Sequence, residues 1–101
     1  MTADPRAELL AVFDDLRALL SQPDNDFSWS SWFGADDALA EVDEISAAIR
    51  AARTAADLPK FEIRSLFVPT GPVQEVSLSS GWGERFLALA DRCDAALEAT
   101  S

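Results

Sequence analysis

Three stretches of the chain space their apolar side chains three or four positions apart, which is the repeat of an α-helix and the strongest constraint on the fold. The pattern is clearest in the middle stretch, where it predicts a helix from about Ala35 to Ala56. Acidic residues fill the first half of this helix and arginines its last turns, so the charges complement the helix dipole. The predicted buried face consists of Leu39, Val42, Ile45, Ile49 and Ala52.

The same spacing predicts the first and last helices. Asp4 followed by Pro5 is a good helix start, because an N-cap oxygen precedes a ring that suits the first helical position. Pro23 ends this helix after Ser21, because the residue before a proline is pushed out of the helical region. The buried face of the first helix is predicted at Leu9, Phe13, Leu16 and Leu20. The last helix is predicted from about Ser80 to Ala99, with Trp82, Phe86, Leu89, Cys93 and Leu97 buried.

Between the second and last helices the apolar period changes. Residues 60–68 alternate and then become apolar, and their β-branched and aromatic residues favour a strand. Residues 69–72 form a turn, and residues 73–78 read as a return strand with Val76 and Leu78 facing inward. So short a connection requires antiparallel pairing. The predicted fold class is therefore α+β, with three helices packed against one antiparallel β-hairpin in the order α-α-β-β-α.

Length and composition indicate one domain over residues 1–101, with an ordered core at about residues 5–98. The chain has 101 residues, 49% of them apolar, which suffices for one hydrophobic core. No basic stretch followed by an apolar run begins the sequence, and no window approaches the ~18 apolar residues of a membrane span. The single Cys93 cannot form an internal disulfide, which agrees with a reducing compartment, so we expect a cytoplasmic protein. We expect no membrane partner, because the negative charge of the chain repels anionic membranes.

The formal net charge of -10 is concentrated in the first half of the chain. Nine acidic residues lie between Asp14 and Glu44, against the single base Arg17. Nucleic-acid affinity comes largely from Lys and Arg that neutralise phosphates, and this field repels phosphates. We therefore expect no direct binding of nucleic acid.

Catalytic chemistry is poorly supported by the composition. The chain has no His and no Tyr, so it lacks the commonest general base and metal ligand. Cys93 lies on an apolar helix face, where a thiol behaves as a small hydrophobe. We expect no enzymatic activity, although carboxylate chemistry stays open.

No cofactor or metal is expected either. Asp24-Asn25-Asp26 with Ser28 is similar to the start of a calcium loop, but that loop needs Gly at position 29, which is Trp, and Glu at position 35, which is Ala.

The first candidate site is an acidic surface that binds a partner. Asp37, Glu41 and Glu44 fall on one face of the second helix, where like charges at this spacing cost about 0.2–0.5 kcal/mol per pair. A solvated surface tolerates that cost; the alternative is a docking face for a basic protein. Trp29 or Trp32 supplies an apolar anchor in this hypothesis, although Phe27, Trp29, Trp32 and Phe33 also suit the core. The predicted partner-binding residues are Asp24, Asp26, Trp29, Trp32, Asp36, Asp37, Glu41 and Glu44.

The second candidate site lies around Pro69–Gly83, between the last strand and the last helix. Backbone N–H groups at such junctions cradle phosphates, although neither a Walker pattern nor G-x-G-x-x-G spacing is present. The alternative is that Ser79 or Ser80 caps the helix and the glycines allow a tight turn. The predicted ligand-site residues are Ser79, Ser80, Trp82 and Arg85.

Uncommon strings also suggest a resemblance. Phe27-Ser-Trp-Ser-Ser-Trp32 and Leu66-Phe-Val-Pro-Thr-Gly-Pro-Val-Gln-Glu-Val-Ser-Leu-Ser-Ser-Gly-Trp-Gly83, followed by residues 86–91, resemble a small bacterial domain family of unknown function. The likeness covers residues 24–97 and implies no activity or ligand. It implies that the turn and the Ser-Ser-Gly-Trp-Gly junction belong to the fold or to an undescribed site.

Three functional hypotheses follow. In the first, the chain is an immunity, antitoxin or inhibitor type of protein that covers a basic surface of a protein partner. In the second, it is a small-ligand-binding or enzymatic domain built around Pro69–Gly83. In the third, it is a homodimeric structural module whose hairpin edges pair across a two-fold axis.

Overall fold

Five α-helices make up most of the computed structural model, which describes residues 4–27, 32–67 and 71–99. A single turn of 3-10 helix, Ala55–Asp57, follows the second of them. In chain order the helices are α1 (Pro5–Leu20), α2 (Ala35–Ala51), α3 (Lys60–Phe67), α4 (Pro72–Ser80) and α5 (Gly83–Glu98).

Helices α1, α2 and α5 agree with their predictions. Asp4 caps α1, since its Oδ1 accepts the Arg6 N–H at 3.0 Å. All predicted core positions of α1 and α5 are buried, and on α2 only Leu39 is partly exposed. Two boundaries shift: α2 ends at Ala51, and α5 begins at Gly83 instead of near Ser80.

The predicted β-hairpin is wrong, because the described residues of both predicted strands are helical. The residues predicted as the first strand form α3, whose buried side chains Ile63, Leu66 and Phe67 follow the i, i+3, i+4 helical repeat. A short apolar run satisfies strand alternation and helical spacing almost equally well. The predicted positions 68–70 lie outside the described residues. The fold class is therefore all-helical over the described ranges, not α+β.

The second predicted strand is α4, and its boundaries carry helix signals. Pro72 occupies the first helical position after the N-cap Gly71. Gly81 ends the helix in the left-handed conformation, with φ 85°, which glycine adopts without steric cost. Val73 and Val76 are buried while Leu78 is 67% exposed, contrary to the inward position predicted for Leu78. The described residues therefore offer no strand edge of the kind that the homodimer hypothesis used.

Helix α1 packs against both α2 and α5, and α4 packs against α3 and α5. A cluster of three phenylalanine rings connects α3 to α1 and α5. The Phe67 ring of α3 meets Phe13 of α1 edge-on, with centroids 6.1 Å apart, and stacks on Phe86 of α5 at 6.1 Å. Phe67 therefore connects the short helix α3 to both long helices.

Ion pairs at the edge of the α1–α5 contact add little. Arg92 of α5 contacts Glu8 at 2.9 Å and Asp15 at 2.7 Å on α1. All three side chains are at least a third exposed, and exposed pairs of this kind contribute about 0–1 kcal/mol. Apolar burial, not charge, holds these helices together.

Replacing Phe67 with alanine is expected to lower the free energy of unfolding by ~3–5 kcal/mol. The substitution removes a buried ring and leaves a cavity between the rings of Phe13 and Phe86. Urea unfolding followed by circular dichroism measures the change. Phe61→Ala is the matched control on the same helix, since Phe61 is 80% exposed and its loss should change stability by less than ~0.5 kcal/mol. Equal effects of the two substitutions would contradict the central position of Phe67.

Candidate functional site

Trp32 is buried and held by one residue of the predicted acidic face. Its side chain is 7% exposed, and its indole Nε1–H donates to Glu41 Oε2 at 2.6 Å. A buried indole N–H requires such an acceptor. Glu41 therefore fixes Trp32 onto α2, and Trp32 is a core residue rather than an exposed anchor.

Phe33 follows Trp32 and points to solvent. Its side chain is 98% exposed, the most exposed of the large apolar side chains described. Its backbone N–H donates to Asp37 Oδ2 at 3.1 Å. Asp37 is the third residue of α2, and a carboxylate at this position commonly accepts an N–H group just before the helix. The exposed ring is therefore attached to backbone that α2 itself holds in place.

The remaining predicted acidic residues divide between two parts of the molecule. Asp36 and Glu44 are exposed on α2, together with Asp37 and Glu41. Asp24 is exposed and Asp26 half-buried, but both lie in the loop after α1, whose bonds run to the junction of α4 and α5. Trp29 and Ser28 lie outside the described residues. The structure thus places Asp36 and Asp37 beside Phe33, Glu41 against Trp32 and Glu44 at the groove with α3, with the loop acids elsewhere.

One acidic residue of α2 is paired within the molecule. Asp43 Oδ1 accepts from Arg17 Nε at 2.9 Å, and this hydrogen bond lowers the pKa of the Asp43 carboxyl. Among the described residues, the ion pairs of α2 involve Asp43 alone. The charges of Asp36, Asp37, Glu41 and Glu44 are therefore not neutralised by an ion pair with a described Lys or Arg.

A groove between α2 and α3 adds residues that the sequence did not indicate. Its volume is ≈ 340 Å³. Glu62 and Ser65 of α3 line it opposite α2, and the sequence prediction omits them because it makes residues 60–68 a strand. Helical spacing of residues 60–67 would have put Glu62 and Ser65 on one face. The lining residues are Glu41, Glu44, Ile45, Ala48, Pro59, Glu62 and Ser65.

The Ser-Ser-Gly-Trp-Gly junction holds the loop that follows α1. Trp82 is 5% exposed, and its Nε1–H donates to Asn25 Oδ1 at 2.9 Å. Asn25 Nδ2 in turn donates to the Leu19 carbonyl oxygen at 2.7 Å, and Ser80 Oγ accepts the Asp26 N–H at 2.8 Å. Asn25 was missed as a key residue because an Asn in an acidic loop carries no sequence signal for a distant tryptophan.

The second candidate site is only partly assembled. Ser80, Trp82 and Arg85 line an open groove of ≈ 800 Å³ between α4 and α5, whereas Ser79 is not among the lining residues. The polar atoms of Ser80 and Trp82 already bond to the α1 loop. The exposed lining includes Leu78 and Leu87, at 67% and 59% exposure. Pro69 and Thr70, which the hypothesis also used, lie outside the described residues.

The single cysteine of the chain lies in the core. Cys93 is 1% exposed, and burial raises the pKa of its thiol to about 12. Among residues 4–27, 32–67 and 71–99, no group of three or more acidic or cysteine side chains is placed to hold a metal ion. Nor does any helix of these ranges combine the length and apolar character needed to cross a membrane.

Comparison of the chain with models of protein families, with curated proteins and with solved structures finds no match. The resemblance to a small bacterial domain family therefore stays a prediction.

Asn25→Ala should lower the free energy of unfolding by ~1–3 kcal/mol, because it leaves the buried indole N–H of Trp82 without its acceptor. Urea denaturation measures the difference. Gln22→Ala removes an exposed amide from the same loop and should change stability by less than ~0.5 kcal/mol. If the two variants unfold at the same urea concentration, Asn25 does not have this role.

Cys93 should resist alkylation by iodoacetamide in the folded protein at neutral pH and react once denaturant is added. The pKa of an unfolded cysteine thiol is ~8.5, and burial raises the pKa of the folded Cys93 thiol to about 12. Because the pKa of the thiol is higher in the folded state, the neutral thiol stabilises the fold. This stabilisation is complete below about pH 8.5 and is lost as the pH rises toward the folded pKa. The corresponding decrease in the free energy of unfolding should be absent in Cys93→Ala. Rapid alkylation of folded protein would contradict the buried position.

Proposed function

We propose that this chain is a protein-binding domain that covers a basic surface of a protein partner, in the manner of an immunity, antitoxin or inhibitor protein. The observation that carries the proposal is Phe33, an aromatic ring 98% exposed beside Asp36 and Asp37 of α2, which form no ion pair with a described Lys or Arg. Aromatic side chains that enter a partner pocket contribute strongly to binding, and surrounding charge selects the partner.

Charge supports a basic partner in particular. The net charge is -10, and the exposed side of α2 presents Asp36, Asp37, Glu41 and Glu44. A field of one sign accelerates encounter with a surface of opposite sign and repels acidic competitors. The same field disfavours nucleic acid, whose phosphates carry the same charge.

The way in which Phe33 is held also supports binding. Trp32 is anchored by Glu41, and the Phe33 N–H is anchored by Asp37. Residues fixed before association lose less conformational freedom on binding, so more of the contact energy appears as affinity. The two carboxylates act here as supports for the aromatic ring as well as sources of charge.

A cytoplasmic location belongs to this proposal. The single cysteine is buried and unpaired by a disulfide, which suits a reducing compartment.

The proposal predicts that Phe33→Ala reduces affinity for the captured partner by about thirtyfold, the loss that truncating a hot-spot aromatic typically produces. The tagged protein is first used for affinity capture from its native host, and the dissociation constant of the captured protein is then measured by calorimetry. Phe61→Ala is the matched control, because it removes an equally apolar exposed ring from α3 and should leave affinity unchanged.

The charge component is tested with Asp36→Lys and Glu44→Lys, two exposed positions outside the anchoring bonds of Trp32 and Phe33. Both should weaken binding and flatten its dependence on ionic strength. Asp37 and Glu41 are not substituted, because reversing their charge would also break the hydrogen bonds that hold Trp32 and Phe33. A partner bound equally well by wild type, Phe33→Ala and the charge-reversed proteins would reject the proposed face.

A further inference from the structure

We propose that the groove between α2 and α3 receives an arginine side chain of the basic partner. This inference rests on the proposed function and deepens it by naming the chemistry that the partner presents. The groove is lined by both apolar and carboxylate side chains and has a volume of ≈ 340 Å³, close to the lower limit of ligand pockets. It is therefore suited to a single long side chain.

The apolar lining suits the aliphatic part of such a side chain. Ile45, Ala48 and Pro59 offer carbon surface in the groove. Long basic side chains place their methylene stems on apolar surface and keep the charged head in a polar environment. An acidic cluster on a flat, hydrated surface would lack this feature.

The acidic lining suits the charged head. Glu44 of α2 and Glu62 of α3 line the groove from two different helices, and neither forms an ion pair with a described Lys or Arg. A cation with several hydrogen-bond donors complements carboxylates presented from two helices. A guanidinium offers five donors in a planar fork and can bridge two carboxylates, whereas an ammonium is a compact point charge.

The groove is continuous with the face proposed to bind the partner. Glu41 lines the groove and also accepts the Trp32 N–H, and Trp32 precedes the exposed Phe33. A partner that receives the Phe33 ring thus lies beside the groove. One basic segment can fill the groove while the ring enters the partner.

The test is a titration of the isotope-labelled chain with two pentapeptides, followed by amide chemical shifts. The first is acetyl-Ala-Leu-Arg-Leu-Ala-amide, and the second replaces Arg with citrulline, which has the same shape without the charge. The arginine peptide should produce saturable shifts at Glu44, Ala48, Glu62 and Ser65, and the citrulline peptide much smaller ones.

The double variant Glu44→Gln with Glu62→Gln should weaken binding of the arginine peptide about fivefold, the effect expected for two exposed charge pairs. Glu84→Gln with Glu98→Gln removes the same charge from α5 and should have no effect. All four side chains are exposed, so the variants should stay folded, and the dispersion of their amide spectra checks this.

No saturable shift at the groove, equal binding of the citrulline peptide, or equal weakening by both double variants would each overturn the inference. The outcome is separable from that of the proposed function. Loss of peptide binding while partner affinity still depends on Phe33 rejects only the arginine groove. Peptide binding at the groove while partner affinity ignores Phe33 rejects the proposed docking face.

Discussion

The position of the Phe67 ring between Phe13 and Phe86 is the contact on which the arrangement of the short helices depends. Helix α3 has eight residues, too few to be stable alone in water, so its structure requires tertiary burial. That burial fixes which side of α3 faces outward. With Ile63, Leu66 and Phe67 in the core, Glu62 and Ser65 line the groove opposite α2. The core contact and the candidate arginine groove are thus two sides of one helix.

The three long helices were predictable because each has 16 or 17 residues over which the apolar spacing repeats, whereas α3 and α4 have only 8 and 9 residues. Over eight residues an apolar run fits alternation and helical repeat alike, and the aromatic and β-branched content favoured a strand. Stronger signals lay at the ends of α4. A proline at the first position and a left-handed glycine after the last are typical of a helix, and Gly71-Pro72 was interpreted as a hairpin turn instead.

The candidate site was predictable in its charge but not in its geometry. The acidic stripe on α2 follows from spacing, and the structure keeps it exposed. What spacing does not reveal is that Asp37 and Glu41 bond back to Phe33 and Trp32, residues in the segment just before the helix. Asn25 likewise bonds to Trp82, 57 positions away, and no local pattern encodes a contact at that distance. Hydrogen bonds between loops and distant helices depend on the packed fold, so they appear only with it.

These bonds alter the choice between a solvated surface and a docking face. Asp37 and Glu41 accept hydrogen bonds within the molecule, which explains their presence without any partner. These bonds, however, hold the segment that carries the Phe33 ring, which is 98% exposed, and a merely solvated face does not require such a ring. Phe61 is nearly as exposed, but its neighbours Lys60, Glu62 and Arg64 are of mixed charge. Among residues 4–27, 32–67 and 71–99, a supported aromatic ring and a field of one sign coincide at Phe33 alone, and this coincidence favours recognition of a basic protein over simple solvation.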